Sequence, residues 1–336
     1  MKKLKRIFAV FFCLLLAAGI LGGCGKAASS SAPAPSALQS GNKPLKIVTT
    51  IFPEYDWVRE ILGDKADHAE VTMLLDNGVD LHSYQPTADD IIKISDCDLF
   101  LYVGGESDGW VEDALKEATN QNMKVINLLD VLGEQVKEEE VVEGMEAEEE
   151  ESEDEDEPEY DEHVWLSLKN AETLCSAITD ALEEIDPANK DAYATNAASY
   201  LEKLAALDGE YQTVMDNAAR KTVLFGDRFP FRYLVDDYGL SYYAAFAGCS
   251  AETEASFETI SFLAGKVDEL GLPCVLTIEG AQHKIAETIV QNTAEKNQSI
   301  LTLDSMQSTT STDVANGTTY LSVMESNLDV LKQALN

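Results

Sequence analysis

Residues 186–220 read DPANKDAYATNAASYLEKLAALDGEYQTVMDNAAR, and this stretch decides the fold. Its pattern stays helical from Asp186 to Arg220, and the first glycine inside it is Gly209. A helix of that length would span roughly 50 Å, which is longer than one small domain needs. We therefore predict a linking helix over 186–220 that is shared by two lobes.

Short apolar runs alternate with helical patterns on both sides of this helix. The runs that we predict as strands are 45–53, 69–75, 99–103 and 125–128 before the helix, and 222–225, 242–247, 275–278 and 300–303 after it. Such alternation is typical of parallel sheets covered by helices. The predicted fold class is α/β, with two similar α/β lobes (45–185 and 221–336) joined by one long backbone helix. Ligands of open α/β sheets bind at the carboxyl ends of the strands, which places a site in the cleft between the lobes.

The N-terminus has the layout of a secretory signal. Four basic residues precede an apolar run over 7–21, which is too short for a stable transmembrane span. The run ends in Leu-Gly-Gly-Cys24, which resembles a bacterial lipobox. We predict a lipoprotein signal peptide over 1–23, lipidation of Cys24 and a flexible tether over 24–44. The protein is then anchored by lipid to the extracytoplasmic face of a bacterial cell membrane.

The charge of the chain is strongly acidic and uneven. The 336 residues hold 61 Asp and Glu against 24 Lys and Arg, a formal net charge of −37. A chain this acidic lacks the basic surface that nucleic-acid binding needs, so we exclude that function. A cationic partner, such as a metal ion, remains compatible with the charge. Residues 138–162 carry 17 of the acids, and we predict a disordered loop there. That loop is either a weak trap for metal ions or an insertion without a role.

Few residues outside this run are suited to metal chemistry. His82 lies in the loop after the second predicted strand, and His163 lies where apolar sequence resumes after the acidic run. His68 falls in a polar loop, and we interpret it as a surface residue. No cysteines form a closely spaced metal-binding pair, so those beyond Cys24 are either buried thiols or disulfides. They are Cys97, Cys175, Cys249 and Cys274.

Two motifs resemble those of a known family, the substrate-binding lipoproteins of zinc- and manganese-importing ABC transporters. Residues 80–87 match its pattern Asp-Pro-His-x-Tyr-x-Pro-Thr, with Leu81 in place of Pro, and residues 161–166 match Asp-x-His-x-Trp-Leu. The lipobox, the interposed loop and the long helix also occur in that family. The resemblance implies a monomeric protein, not an enzyme, that captures Zn²⁺, or alternatively Mn²⁺, and delivers it to an ABC permease and its ATPase.

The resemblance also implies four metal ligands. His82 and His163 match the two from the first lobe, and Asp304 matches the fourth. The third family position holds Arg228, whose charged guanidinium has no lone pair for a metal. We predict His283 as the third ligand, with Asp227 and Glu279 in reserve.

The ligand set decides between metals and between function classes. Three imidazoles and one carboxylate suit Zn²⁺, whereas two imidazoles and two carboxylates let Mn²⁺ compete. A zinc hydrolase commonly has a His-Glu-x-x-His motif, which this sequence lacks. A surface adhesin with a structural metal remains the main alternative to a transport protein.

Overall fold

The computed structural model describes residues 43–146, 159–250, 254–280 and 283–336. The predicted signal peptide, Cys24 and nearly all of the tether lie outside these residues. Residues 44–336 form one compact unit. Within the described part of the chain, no helix combines the length and apolarity needed to cross a bilayer.

The first lobe is built on a four-stranded parallel sheet with strand order β2-β1-β3-β4. The order reverses between β1 and β3, which is where open α/β sheets form a crevice for ligands. The strands are β1 Leu45–Thr49, β2 Ala69–Met73, β3 Leu99–Tyr102 and β4 Lys124–Asn127, and the helices are α1 Phe52–Leu62, α2 Ala88–Ser95, α3 Val111–Lys116 and α4 Leu128–Leu132.

Two helices lead to the second lobe, α5 Leu168–Ile185 and α6 Lys190–Asn217. The α6 helix begins four residues later and ends three residues earlier than the predicted 186–220, because Asp186–Asn189 form a turn and Ala218 is extended. One face of α6 is buried at alternating spacings of three and four residues, as a helix packed along one side requires. That face comprises Tyr193, Ala197, Tyr200, Leu204, Leu207, Tyr211 and Met215.

The second lobe repeats the topology of the first. Its parallel sheet has the order β6-β5-β7-β8, the same arrangement as in the first lobe. Its strands are β5 Thr222–Phe229, β6 Ser241–Ala247, β7 Cys274–Thr277 and β8 Ser299–Thr302, and its helices are α7 Arg232–Tyr238, α8 Phe257–Leu270, α9 Lys284–Asn292, α10 Ser311–Ala315 and α11 Tyr320–Ala334. The predicted pair of similar α/β lobes is confirmed.

Hydrogen bonds tie α6 to both lobes. Near its start, the Asn196 amide donates to the Ile61 carbonyl at the end of α1, at 3.0 Å. Near its other end, the Tyr211 hydroxyl donates to the Met324 carbonyl of α11 at 2.6 Å. One long helix is therefore bonded to a helix of each lobe.

The acidic run is more ordered at its two ends than we expected. Glu139 N–H donates to the Glu159 carbonyl at 2.9 Å, and Glu146 N–H donates to the Ala245 carbonyl of β6 at 3.0 Å. Disorder over the whole of 138–162 is therefore wrong for 138–146 and 159–162. The backbone of this segment forms hydrogen bonds with the second lobe, and these bonds cannot be predicted from its acidic composition alone. The centre of the run, 147–158, lies outside the described residues.

One buried carboxyl group in the first lobe makes stability depend on pH. Glu54 is fully buried, and its Oε2 accepts hydrogen bonds from Thr50 N–H at 2.8 Å and from the Thr50 hydroxyl at 3.1 Å. Burial, reinforced by the nearby Asp108 carboxylate, raises the pKa of Glu54 to about 8. The folded state therefore keeps a proton on Glu54 at pH values where the unfolded chain has lost it.

We expect the free energy of unfolding to fall by up to about 1 kcal/mol per pH unit from this one group as pH rises from 5 towards 8. The stabilisation is complete below the unfolded pKa of Glu54 and is lost as pH rises through the folded pKa. Glu54→Gln keeps an acceptor for the Thr50 donors but cannot ionise, so its unfolding curves should show a shallower pH dependence. Denaturant titrations at several pH values measure this, with the exposed Glu112→Gln as the control. An unchanged slope for Glu54→Gln would refute the assignment.

Candidate metal site between the two sheets

His82 is positioned by a short turn after β2. Residues Leu81–Ser83 form a single turn of 3-10 helix, and the Asp80 carboxylate caps it by accepting from His82 N–H at 3.0 Å. The His82 Nδ1 lies 2.8 Å from the Ser107 hydroxyl and 3.5 Å from Glu162 Oε2. These two oxygens favour a proton on Nδ1, which leaves the lone pair of His82 on Nε2.

His163 is held by the residue two positions before it. Asp161 Oδ1 accepts from His163 N–H at 2.8 Å and lies 3.0 Å from His163 Nδ1. The imidazole is fully buried, and it packs beside the Trp165 ring with 5.3 Å between the ring centroids. A carboxylate hydrogen-bonded to Nδ1 commonly orients histidines that bind metals, and here it leaves Nε2, on the other side of the ring, as the nitrogen that could bind a metal.

The two histidines meet at their Nε2 atoms, which are 3.2 Å apart. Because both Nδ1 atoms face oxygens, the two Nε2 atoms meet across a space that holds either one shared proton or a cation. Two nitrogens bound to one tetrahedral Zn²⁺ at ~2.0–2.1 Å lie ~3.3 Å apart. The observed separation is therefore close to that of a zinc-bound pair.

The electrostatic surroundings of the two rings differ. Burial and the neighbouring His163 lower the pKa of His82 to about 3, so this imidazole is neutral at physiological pH. Burial alone would lower the pKa of His163, but the Asp161, Glu162 and Asp80 carboxylates together outweigh burial, and the pKa is raised. The rings therefore do not carry positive charge together, and a proton shared at Nε2 is the only competitor of a metal ion there.

Glu162 supplies negative charge behind His82. Its Oε1 accepts from Ser107 N–H at 2.9 Å, and its buried Oε2 has no hydrogen-bond partner within the described ranges. Gly105, at a φ of 80°, lies so close that a Cβ there would be 2.3 Å from Glu162 Oε1. The chain thus keeps a carboxyl group next to a neutral imidazole, where a carboxylate would stabilise a bound cation.

Arg228, at the third family position, forms an ion pair across the cleft. Its guanidinium lies 2.5 Å from Asp80 Oδ2, so that β5 of the second lobe is joined to the His82 turn of the first. Burial alone would raise the pKa of Asp80, but the Arg228 charge lowers it. The carboxylate of the adjacent Asp227 accepts instead from the Arg228 backbone N–H, at 2.9 Å.

The other predicted ligands lie at the carboxyl ends of the second sheet. Glu279 follows β7 and accepts from Ser305 N–H at 2.7 Å and from the Ser305 hydroxyl at 2.8 Å. Asp304 follows β8, and burial together with the Glu279 charge raises its pKa to about 6. His283 precedes α9, and its Nδ1 is buried without a hydrogen-bond partner among the described residues.

Cys249, which the sequence predicts as a buried thiol or part of a disulfide, lies at the histidine pair. Within the described ranges, the residues whose ligand atoms come within 4.8 Å of one another in a group of three or more are His82, His163 and Cys249. Cys249 comes two residues after the end of β6. Cys249 has no second cysteine close to it in the sequence, so the spacing of cysteines does not indicate a metal site there. Its position after a predicted strand is the feature that it shares with His82.

Comparison with known proteins identifies the family. A family model described as zinc-uptake complex component A, periplasmic (ZnuA), matches residues 47–334. The chain belongs to the ZnuA family. This membership places the chain outside the cytoplasm and in a group of transport proteins. It also confirms the family to which the two histidine motifs point.

Three similar proteins illustrate the match. The zinc-binding lipoprotein AdcA of Streptococcus pneumoniae is 33% identical over 290 residues, which cover 86% of this chain and 55% of AdcA. The chain thus spans about half the length of that relative. The high-affinity zinc uptake system protein ZnuA of Bacillus subtilis is 32% identical over 99% of this chain and 98% of its own. The solved Zn(II)-bound ZnuA-like domain of S. pneumoniae AdcA is 30% identical with a TM-score of 0.68, covering 87% of this chain and 99% of that one.

The Asp80–Arg228 ion pair gives the first prediction for the site. In zinc-free protein, a double-mutant cycle with Asp80→Asn and Arg228→Gln should show a coupling of about 0.5–3 kcal/mol in the free energy of unfolding. Each single substitution leaves the other charge partly buried and unpaired, so the double variant should lose less than the sum of both. Strictly additive losses would show that the pair does not hold the lobes together.

Proposed function

We propose that this protein captures Zn²⁺ between its two lobes and delivers it to an ABC-type importer. The contact of His82 Nε2 with His163 Nε2 carries the proposal, because two ring nitrogens face one space while carboxylates lie at their Nδ1 atoms. Relatives and a solved neighbour named for zinc support it, and they favour zinc capture over adhesion. The role is binding and release, so no reaction is catalysed.

The location of the protein follows from the same proposal. The signal sequence and the lipobox at Cys24 fit a monomer held by a lipid on the extracytoplasmic face, beside the permease that receives the ion. The tether over 24–44 would let the lobes reach that permease. The permease and its ATPase are the partners that we propose.

The direct test is a zinc titration with metal analysis by mass spectrometry. We expect one tightly bound Zn²⁺ per chain in the wild type, and loss of that ion in His82→Ala and in His163→Ala, since each removes one of the two facing nitrogens. His68→Ala is the matched control, because His68 is exposed at the end of a surface turn. A chain that binds no transition metal at neutral pH would overturn the proposal, as would wild-type stoichiometry in both site variants.

The ligands from the second lobe need a separate comparison. We propose that Asp304 joins the site and that His283 remains a candidate for the third ligand, with Asp227 and Glu279 in reserve. Single alanine variants of the four residues should separate them, because loss of a ligand weakens zinc affinity at least as much as loss of a residue that orients a ligand, about 10–100-fold. Wild-type affinity for His283→Ala would remove it from the set.

A further inference from the structure

We propose that the Cys249 thiolate stands in for the family's third ligand, so that two imidazoles and one sulfur bind the ion together with the proposed fourth ligand, Asp304. This inference rests on the proposed function, because it names a ligand of that same site. It differs from the assignment of His283 and from the two carboxylate candidates in reserve.

The position of the Cys249 sulfur is the first support. Sγ lies within 4.8 Å of a ring nitrogen of both His82 and His163. A sulfur at ~2.3 Å and a nitrogen at ~2.0–2.1 Å from a tetrahedral Zn²⁺ are ~3.6 Å apart. A side-chain rotation or a slight closing of the cleft, by ~1 Å, therefore completes the coordination.

The backbone before Cys249 is shaped for this approach. A Cβ on Gly248 would lie 3.0 Å from His163 Cε1 and 2.9 Å from the Phe229 carbonyl oxygen. Only a glycine allows the turn after β6 to rest against the His163 ring at this distance. The close contact brings the next residue, Cys249, beside the histidine pair.

Two further contacts hold the same turn from either side. Glu139 Oε1 accepts from Cys249 N–H at 3.0 Å, and the Arg228 guanidinium donates to the Ser250 carbonyl at 3.3 Å. Arg228 thus binds the segment that carries Cys249 and, through Asp80, the turn that carries His82. The residue that replaces the family ligand therefore positions the sulfur that takes over its role.

The chemistry of binding is a simple exchange without electron transfer. The S–H bond of Cys249 breaks as the S–Zn bond forms, and the proton leaves to the solvent buffer. A thiolate is a soft ligand, which favours Zn²⁺ and other soft ions and disfavours Mn²⁺. The choice between zinc and manganese that the sequence left open is thereby decided for zinc.

The other cysteines provide matched controls. Cys97, Cys175 and Cys274 are buried, and all four described cysteines are free of disulfides. Cys274 begins β7, on the neighbouring part of the same sheet, and belongs to the apolar core. Cys274→Ser therefore changes a thiol to a hydroxyl in the same lobe without touching the histidine pair.

X-ray absorption at the zinc edge of the full chain, loaded with one Zn²⁺ under reducing conditions, tests the proposal. The wild type and Cys274→Ser should each show one sulfur at ~2.3 Å beside nitrogen at ~2.0–2.1 Å, and Cys249→Ser should lack the sulfur. Zinc affinity of Cys249→Ser should fall at least about 10–100-fold, the range for residues that only orient a ligand.

Failure of this inference is distinguishable from failure of the proposed function. One bound Zn²⁺ with nitrogen and oxygen neighbours alone would overturn the Cys249 assignment and leave zinc capture intact. A wild type that binds no zinc would overturn both. Should Cys249→Ser not fold, alkylation of wild-type Cys249, followed by peptide mass spectrometry, replaces it. Zinc should slow the labelling strongly, and equal rates with and without zinc would contradict the proposal.

Discussion

The contact between two imidazole nitrogens at 3.2 Å is the constraint on which the rest of the structure depends. Each ring uses its other nitrogen to face oxygens from its own lobe, so neither can turn away to relieve the contact. The two nitrogens share either one proton or a cation, and the carboxylates Asp161 and Glu162 next to the rings would stabilise a divalent cation there.

The fold places this pair opposite the strand ends of the second sheet. Both sheets have the same strand order, and two of the proposed ligands follow strand ends: His82 after β2 and Cys249 after β6. The α6 helix is bonded to α1 near one end and to α11 near the other. The Asp80–Arg228 ion pair joins the two rims of the cleft beside the proposed metal site.

Local sequence patterns predicted the parts of the molecule that depend on local physics. Apolar runs located the strands, and the helical pattern of 186–220 located α6, with errors only at its ends, where a turn precedes Lys190 and extended chain follows Asn217. The motifs around His82 and His163 located the pair because each motif carries its own orienting Asp, two residues before the His. A residue after a strand could be predicted as a metal ligand from the sequence when it was a histidine or a carboxylate, as at His82 and Asp304.

Long-range pairing was beyond those patterns. Arg228 and Asp80 are 148 positions apart, and no spacing rule links an arginine to a distant carboxylate. Composition predicted disorder for the acidic run, yet Glu139 and Glu146 bind backbone groups of the second lobe. Cys249 was missed because a single cysteine has no sequence signature until the fold places it against two histidines.

The central claim, a cation held between His82 Nε2 and His163 Nε2, is tested most directly by anomalous diffraction at the zinc edge from crystals of the zinc-loaded protein. The account predicts a single strong peak ~2.0–2.1 Å from both nitrogens. A peak located elsewhere, or a zinc-loaded protein whose two rings still touch with no ion between them, would contradict it.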